Sequence, residues 1–126
     1  MSRKVEEINS LTLAYIGDAI YEIYVREYLI KKGISKVNDL QKEAVNYVSA
    51  VNQKNYLEKL IDSSFLDDNE LEIVKRARNH KVSSSPRKVD IITYKWATGL
   101  EALIGYLYLT GNNDRVKAIM SFILGG

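Results

Sequence analysis

LTLAYIGDAIYEIYVREY, residues 11–28, is the stretch that decides how this chain folds. Apolar residues fall on almost every side of a 3.6-residue period and no proline interrupts them, which predicts a long helix buried among others. Asp18 is out of place in it, as the only Asp, Glu, Lys or Arg between residues 8 and 21. A carboxylate carried into an apolar setting has to be paired, hydrogen-bonded, protonated or bound to a cation, because an unpaired charge there costs many kcal/mol.

A second stretch has the same character. In YKWATGLEALIGYLYL, residues 94–109, Glu101 is the only acid. If the two helices pack together, the like charges repel unless a proton or a cation lies between them. Ala14 and Gly17 on one helix, with Gly99, Ala102 and Gly105 on the other, permit a close approach. The other reading, in which each acid is satisfied separately by backbone amides or by Lys and Arg, stays open on composition alone.

The chain has 126 residues, of which 46% are hydrophobic, enough for one domain spanning 1–126 with a real core. Cysteine is absent and His80 is the only histidine. Zinc of the usual Cys/His kind is therefore excluded, and a metal held here would be a hard, oxygen-ligated ion such as magnesium or manganese. No signal peptide and no apolar run of membrane-spanning length is present, so a cytoplasmic protein is expected.

Local signals mark the helices. Residues 1–8 read as a loose, charged leader. Ser10 is expected to cap the first helix, which ends near Lys31 and Lys32 with Gly33 as a left-handed terminator. A second helical region opens at residues 35–38 with Leu40, Ala44, Tyr47 and Val48 as its buried stripe, bends at residues 49–51, and continues through Tyr56, Leu57, Leu60 and Ile61. Asp67 and Glu70 have the spacing of a capping box, opening a helix to about Asn79. Residues 82–88, with three serines and the only proline, read as a loop. Asp90 is expected to cap the Glu101 helix and Gly111 to end it, with Asn112 or Asn113 opening a last helix through Leu124. No hairpin signal or repeat occurs, and the expected fold class is all-α.

A formal net charge of +2 does not announce a nucleic-acid binder. Its distribution is more telling: residues 58–72 hold six acids against one lysine, whereas residues 75–88 hold six Lys and Arg, with His80 and no acid. That basic segment is either a solvated helix end or a set of phosphate contacts. The nine tyrosines do not point to base stacking. Tyr15, Tyr21, Tyr24, Tyr28, Tyr94, Tyr106 and Tyr108 lie inside apolar helices, where core packing with a satisfied hydroxyl is expected.

IGDAIYE (16–22) and LEALIGYLYL (100–109), about eighty residues apart, resemble the two halves of the ribonuclease III catalytic domain. With LAYIGDAIYE (13–22), KEAVNYVSA (42–50), RARN (76–79) and EALIGYLYLTG (101–111) in order, the chain resembles most the Mini-III ribonucleases. These are the short bacterial members without a double-stranded-RNA-binding domain, and the resemblance covers roughly residues 9 to 120.

The resemblance implies the helical bundle of a ribonuclease III endonuclease domain and a magnesium-dependent endoribonuclease, with manganese able to substitute. In that family four acidic positions surround the metal. Asp18 and Glu101 match the two that hold it directly and inherit ligand and catalytic roles. Ala14 lies where many relatives have Glu, and Thr98 where most have Asp, which leaves a thinner ligand set and one or two metals open. Glu22, one turn beyond Asp18, reads either as a solvated residue or as support for a metal-bound water. Arg76, Arg78, Asn79, Lys81, Arg87 and Lys88 become the expected RNA contacts.

Family members act as homodimers in which each site cuts one strand of an A-form duplex, leaving a 5′ phosphate, a 3′ hydroxyl and a short 3′ overhang. Mini-III enzymes trim a stem in the precursor of large-subunit (23S) ribosomal RNA, the expected substrate here, with a ribosomal protein as a further candidate partner. A helical double-stranded-RNA-binding or ribosome-assembly protein on the same scaffold is the alternative that Ala14 and Thr98 sustain, and a protein adaptor without RNA is a third.

Overall fold

The computed structural model of the chain describes residues 4–80 and 89–125. The expected loop at residues 82–88, together with Lys81, Arg87 and Lys88, lies outside them. The described residues form six α-helices and no strand: α1 (Ser10–Lys31), α2 (Val37–Val48), α3 (Ala50–Asp62), α4 (Asp68–Arg78), α5 (Ile91–Leu109) and α6 (Asn113–Ile123). The expected all-α fold is what is found.

Short-range chemistry sets the helix limits. Asp67 and Glu70 form the full capping box at the start of α4, with Glu70 N–H on Asp67 Oδ1 at 2.8 Å and Asp67 N–H on Glu70 Oε1 at 2.9 Å. Asp90 Oδ1 accepts the Thr93 N–H at 2.7 Å and opens α5. Gly33 and Gly111 follow α1 and α5 with φ of 106° and 80°, the left-handed conformation in which a β-carbon is penalised. Ser49 both ends α2 and caps α3, and its extended backbone makes the bend between them. One cap differs from expectation. Asn9 caps α1 through Leu11 N–H, while Ser10 is buried inside its first turn. No side chain caps α2 or α6.

The centre of the molecule is α5. Thr93, Ala97 and nearly every residue from 98 to 107 are buried, and α1, α3, α4 and α6 all pack against this helix. The side chains of Leu13, Tyr21, Val25 and Leu29 on α1, Leu57 and Leu60 on α3, and Leu100, Leu103 and Ile104 on α5 have almost no exposed surface. Each such side chain contributes about 1.5–3 kcal/mol. Glu70, only 2% exposed, receives Nε and Nη2 of Arg115 at 2.7 and 2.8 Å, which ties α6 to the start of α4.

The first helix is not buried all round as its pattern suggests. Leu13, Ala14, Gly17, Tyr21, Val25 and Leu29 form one buried stripe, whereas Tyr15 is 83% exposed and Ile23 and Ile30 are each 59% exposed. Tyr15 and Tyr108 are therefore not core tyrosines. Tyr21 and Tyr106 are, and Tyr21 donates its hydroxyl to the Tyr47 carbonyl. The α2 stripe is half-buried, with Tyr47 stacked on Tyr56 at 6.3 Å. The leader is not loose over residues 5–7. They make a turn of 3-10 helix, held by Arg76 Nη1 on the Glu6 carbonyl at 2.8 Å and by the Tyr106 hydroxyl on Glu6 Oε1 at 3.4 Å.

Candidate functional site

The site is made by two glycines. A β-carbon on Gly17 would lie 1.7 Å from the Glu101 carbonyl oxygen, and one on Gly105 would lie 2.0 Å from the Leu13 carbonyl oxygen. Only hydrogen fits at both crossing points, so α1 and α5 meet backbone to backbone. Glycine inside a helix costs about 1 kcal/mol relative to alanine, and the close-packed contact between the two longest helices offsets it. Gly99, expected at the same contact, faces α4 instead, with Val74 and the Arg78 stem 3.4 Å away.

Because Asp18 follows Gly17 directly, the crossing carries its carboxyl to hydrogen-bonding reach of Glu101. Asp18 sits at the exposed rim and Glu101 is half-buried. Burial, then the hydrogen bond and negative charge of Asp18, push the Glu101 carboxyl up to about 8, against the Gln53 amide, which favours the charged form. Among the described residues neither acid has a Lys or Arg partner. Among the described residues the two carboxyls face each other rather than separate cationic side chains.

The third wall comes from α3. Gln53 is 3% exposed and its Nε2 donates to Glu101 Oε2 at 3.4 Å. Sequence reasoning missed this residue, although a signal was present: Gln53 shares one helical face with Leu57 and Leu60, an amide in an apolar stripe. Tyr21 lies close enough that Glu101 and Glu22, after burial and Tyr56, raise its hydroxyl above the ordinary tyrosine range. Glu22 is ion-paired with Arg26 at 3.0 Å, one turn along α1.

The two departures from four acids are both closed off from solvent. Ala14 is buried, and the Thr98 hydroxyl donates to the Tyr94 carbonyl at 2.9 Å. No group of three or more His, Cys, Asp or Glu that could hold a metal occurs among the described residues. Two hard oxygen donors, with no cationic side chain beside them among the described residues, suit a divalent ion that coordinates oxygen and keeps much of its water.

Of the expected RNA contacts, Arg76, Arg78 and Asn79 are described. All lie at the C-terminal end of α4, where three cations, Lys75, Arg76 and Arg78, face the negative end of the helix. Arg76 reaches the Glu6 carbonyl, and the Arg78 guanidinium lies 4.5 Å from the centre of the Trp96 ring. Arg78 thus rests on the α5 turn that precedes Glu101, whereas Asp18, Glu101 and Gln53 form the cluster itself.

The Ribonuclease III domain family profile matches residues 11–112. The chain is 45% identical over 116 residues to Mini-ribonuclease 3 of Desulfitobacterium hafniense, covering 92% of this chain and 72% of that protein. It is 48% identical over 120 residues to Mini-ribonuclease 3 of Brevibacillus brevis, covering 95% and 88%. A crystal structure of a Fusobacterium nucleatum protein superposes with a TM-score of 0.87 at 34% identity, over 99% of this chain and 100% of that one. No helix among the described residues is long and apolar enough to cross a membrane.

Proposed function

The chain belongs to the ribonuclease III family, and from that premise we propose how it works: as a double-stranded-RNA endoribonuclease whose Asp18 and Glu101 hold magnesium, manganese being able to substitute. The observation that carries this reading is the facing pair of carboxyls, one of them raised to about 8, with no Lys or Arg between them among the described residues. Bound there, a divalent cation supplies positive charge to the phosphate oxygens and acidifies the attacking water.

The chain's own residues do the rest. Glu101 and Asp18 would be the residues to hold the ion, Glu101 losing its proton as it did so, and the Gly17 and Gly105 crossing keeps Asp18 beside it. Arg76, Arg78 and Asn79, with Lys81, Arg87 and Lys88, contact phosphates of the duplex and give affinity independent of base sequence. The acceptable substrate is A-form duplex RNA, recognised by shape and 2′-hydroxyls, and its cut ends are a 5′ phosphate and a 3′ hydroxyl. We place it in the cytoplasm, trimming a stem of the large-subunit (23S) ribosomal RNA precursor, with a ribosomal protein as a candidate assistant.

A homodimer completes the reading. Leu11, Tyr15, Ile23 and Ile30 leave an apolar strip of α1 uncovered on the same helix that carries Asp18. A two-fold contact there buries the strip and sets two sites across a duplex, one for each strand.

Ala14 and Thr98 favour one competing reading, a non-cleaving RNA binder on the same scaffold. Incubating the purified protein with long duplex RNA, with and without magnesium, and resolving the products on a gel decides the matter. Magnesium-dependent fragments support the nuclease. A mobility shift without fragments supports the binder, and neither supports an adaptor.

A further inference from the structure

We propose that Gln53 positions Glu101 for its role at the site, through the hydrogen bond its amide donates across the contact of α3 with α5; this rests on the functional reading above. Gln53, Leu57 and Leu60 form one face of α3, and the two leucines are fully buried. An amide in such a stripe loses its water and costs stability unless it is hydrogen-bonded, whereas an apolar side chain packs there at no such cost. What the amide does instead is hold Glu101 Oε2 at 3.4 Å. That is long for an N–H···O bond, as catalytic hydrogen bonds commonly are before a site is loaded.

The chemistry of the amide suits the task. A Lys or Arg in its place would neutralise Glu101 and compete with a divalent cation, and a third carboxylate would add to the repulsion already present between Asp18 and Glu101. A neutral N–H restrains one carboxylate oxygen and leaves its charge for the metal. Gln53 is itself anchored, since its backbone N–H bonds the Ser49 carbonyl at 2.9 Å in the first turn of α3, at the bend that separates α3 from α2. Glu101 has three rotatable side-chain bonds, and Gln53 selects among their rotamers before metal or RNA arrives.

The test is Gln53→Met, which keeps an unbranched chain of similar length and removes the donor. Duplex RNA affinity and KM should be unchanged, kcat should fall about 10- to 100-fold, and half-maximal cleavage should need more magnesium. In the RNA-free protein, the rise in melting temperature on adding magnesium should shrink. Parental kcat together with a parental magnesium-induced rise overturns the proposal. So does a lower melting temperature in EDTA with kcat and the magnesium response intact, which assigns Gln53 to the core alone. If the Met variant does not fold, Gln53→Asn keeps the donor but draws it back by one methylene: a similar loss in kcat supports the proposal and parental kcat overturns it. If the parent itself shows neither magnesium-dependent cleavage nor a magnesium-dependent rise in melting temperature, the functional reading has failed and takes this inference with it.

Discussion

Gly17 of α1 lies flat against the backbone of Glu101 in α5, so close that a β-carbon on the glycine would sit 1.7 Å from the Glu101 carbonyl oxygen. The residue that permits the helices to touch and the residue that carries the chemistry are chain neighbours, Gly17 and Asp18. Packing and site geometry are therefore one problem in this protein.

Gly17→Ala should accordingly damage both. The obstacle is helix backbone, which cannot swing aside like a flexible side chain, so α1 and α5 must separate. A loss of about 1–3 kcal/mol is expected from overpacking, outweighing the gain in helix propensity. Chemical denaturation measures that loss, and a cleavage assay under folding conditions should show a further drop as Asp18 moves off Glu101. Parental stability would contradict the tight crossing.

Asp18→Asn and Glu101→Gln should each reduce cleavage by orders of magnitude while leaving duplex binding largely intact. Stability should move the other way. In EDTA, neutralising either acid relieves the repulsion between them, so the melting temperature stays level or rises, and magnesium stabilises the parent more than either variant. Had the acids been paired with Lys or Arg, the same changes would strand a cation and cost on the order of 3–5 kcal/mol. Such a loss with cleavage retained would remove the metal site.

The Glu101 carboxyl, raised from 4.5 to about 8, links stability to pH. Between those values the unfolded chain has lost the proton that the folded, metal-free chain still holds. The folded state binds more protons, so its stability is fully present below 4.5 and falls as pH rises towards 8. Each pKa unit corresponds to about 1.4 kcal/mol. Melting in EDTA across that window should show the decline in the parent, flattened in Glu101→Gln. Magnesium added at pH 7 in weak buffer should release protons from the parent and fewer from that variant.

Thr98→Asp places a third carboxylate three residues before Glu101, yet the side chain here is 5% exposed and its hydroxyl is bonded to the Tyr94 carbonyl. The new acid would be buried without a cationic partner, and a loss of several kcal/mol is expected in the absence of metal. Differential scanning calorimetry in EDTA reads it directly. A fully stable variant would mean that residue 98 has access to solvent.

Arg76, Arg78 and Lys81 changed together to Ala should weaken duplex RNA binding regardless of sequence. The plot of log affinity against log salt should become shallower by about one for each phosphate that is no longer neutralised. Filter binding over a salt series checks this. An unchanged slope would take the end of α4 out of the RNA interface.

Much of this protein is legible from short-range chemistry. The capping box of Asp67 and Glu70, the bend at Ser49, the cap at Asp90, and the glycine stops at 33 and 111 act within one helical turn, so the limits of these helices follow from neighbours in the chain. Asp18 and Glu101 are visible too, because a lone acid in an apolar run is an electrostatic anomaly wherever the helix goes. What neighbours do not decide is which side of an apolar helix faces inward. Both sides of α1 carry apolar residues, and only its crossing with α5 buries Leu13 and Tyr21 while leaving Tyr15 and Ile23 in solvent. The Gln53 bond to Glu101 spans 48 residues and depends on the angle at which α3 meets α5. Hydrogen bonds and side-chain packing act over a few ångströms of space, and distance along the chain does not reveal which residues those few ångströms will join.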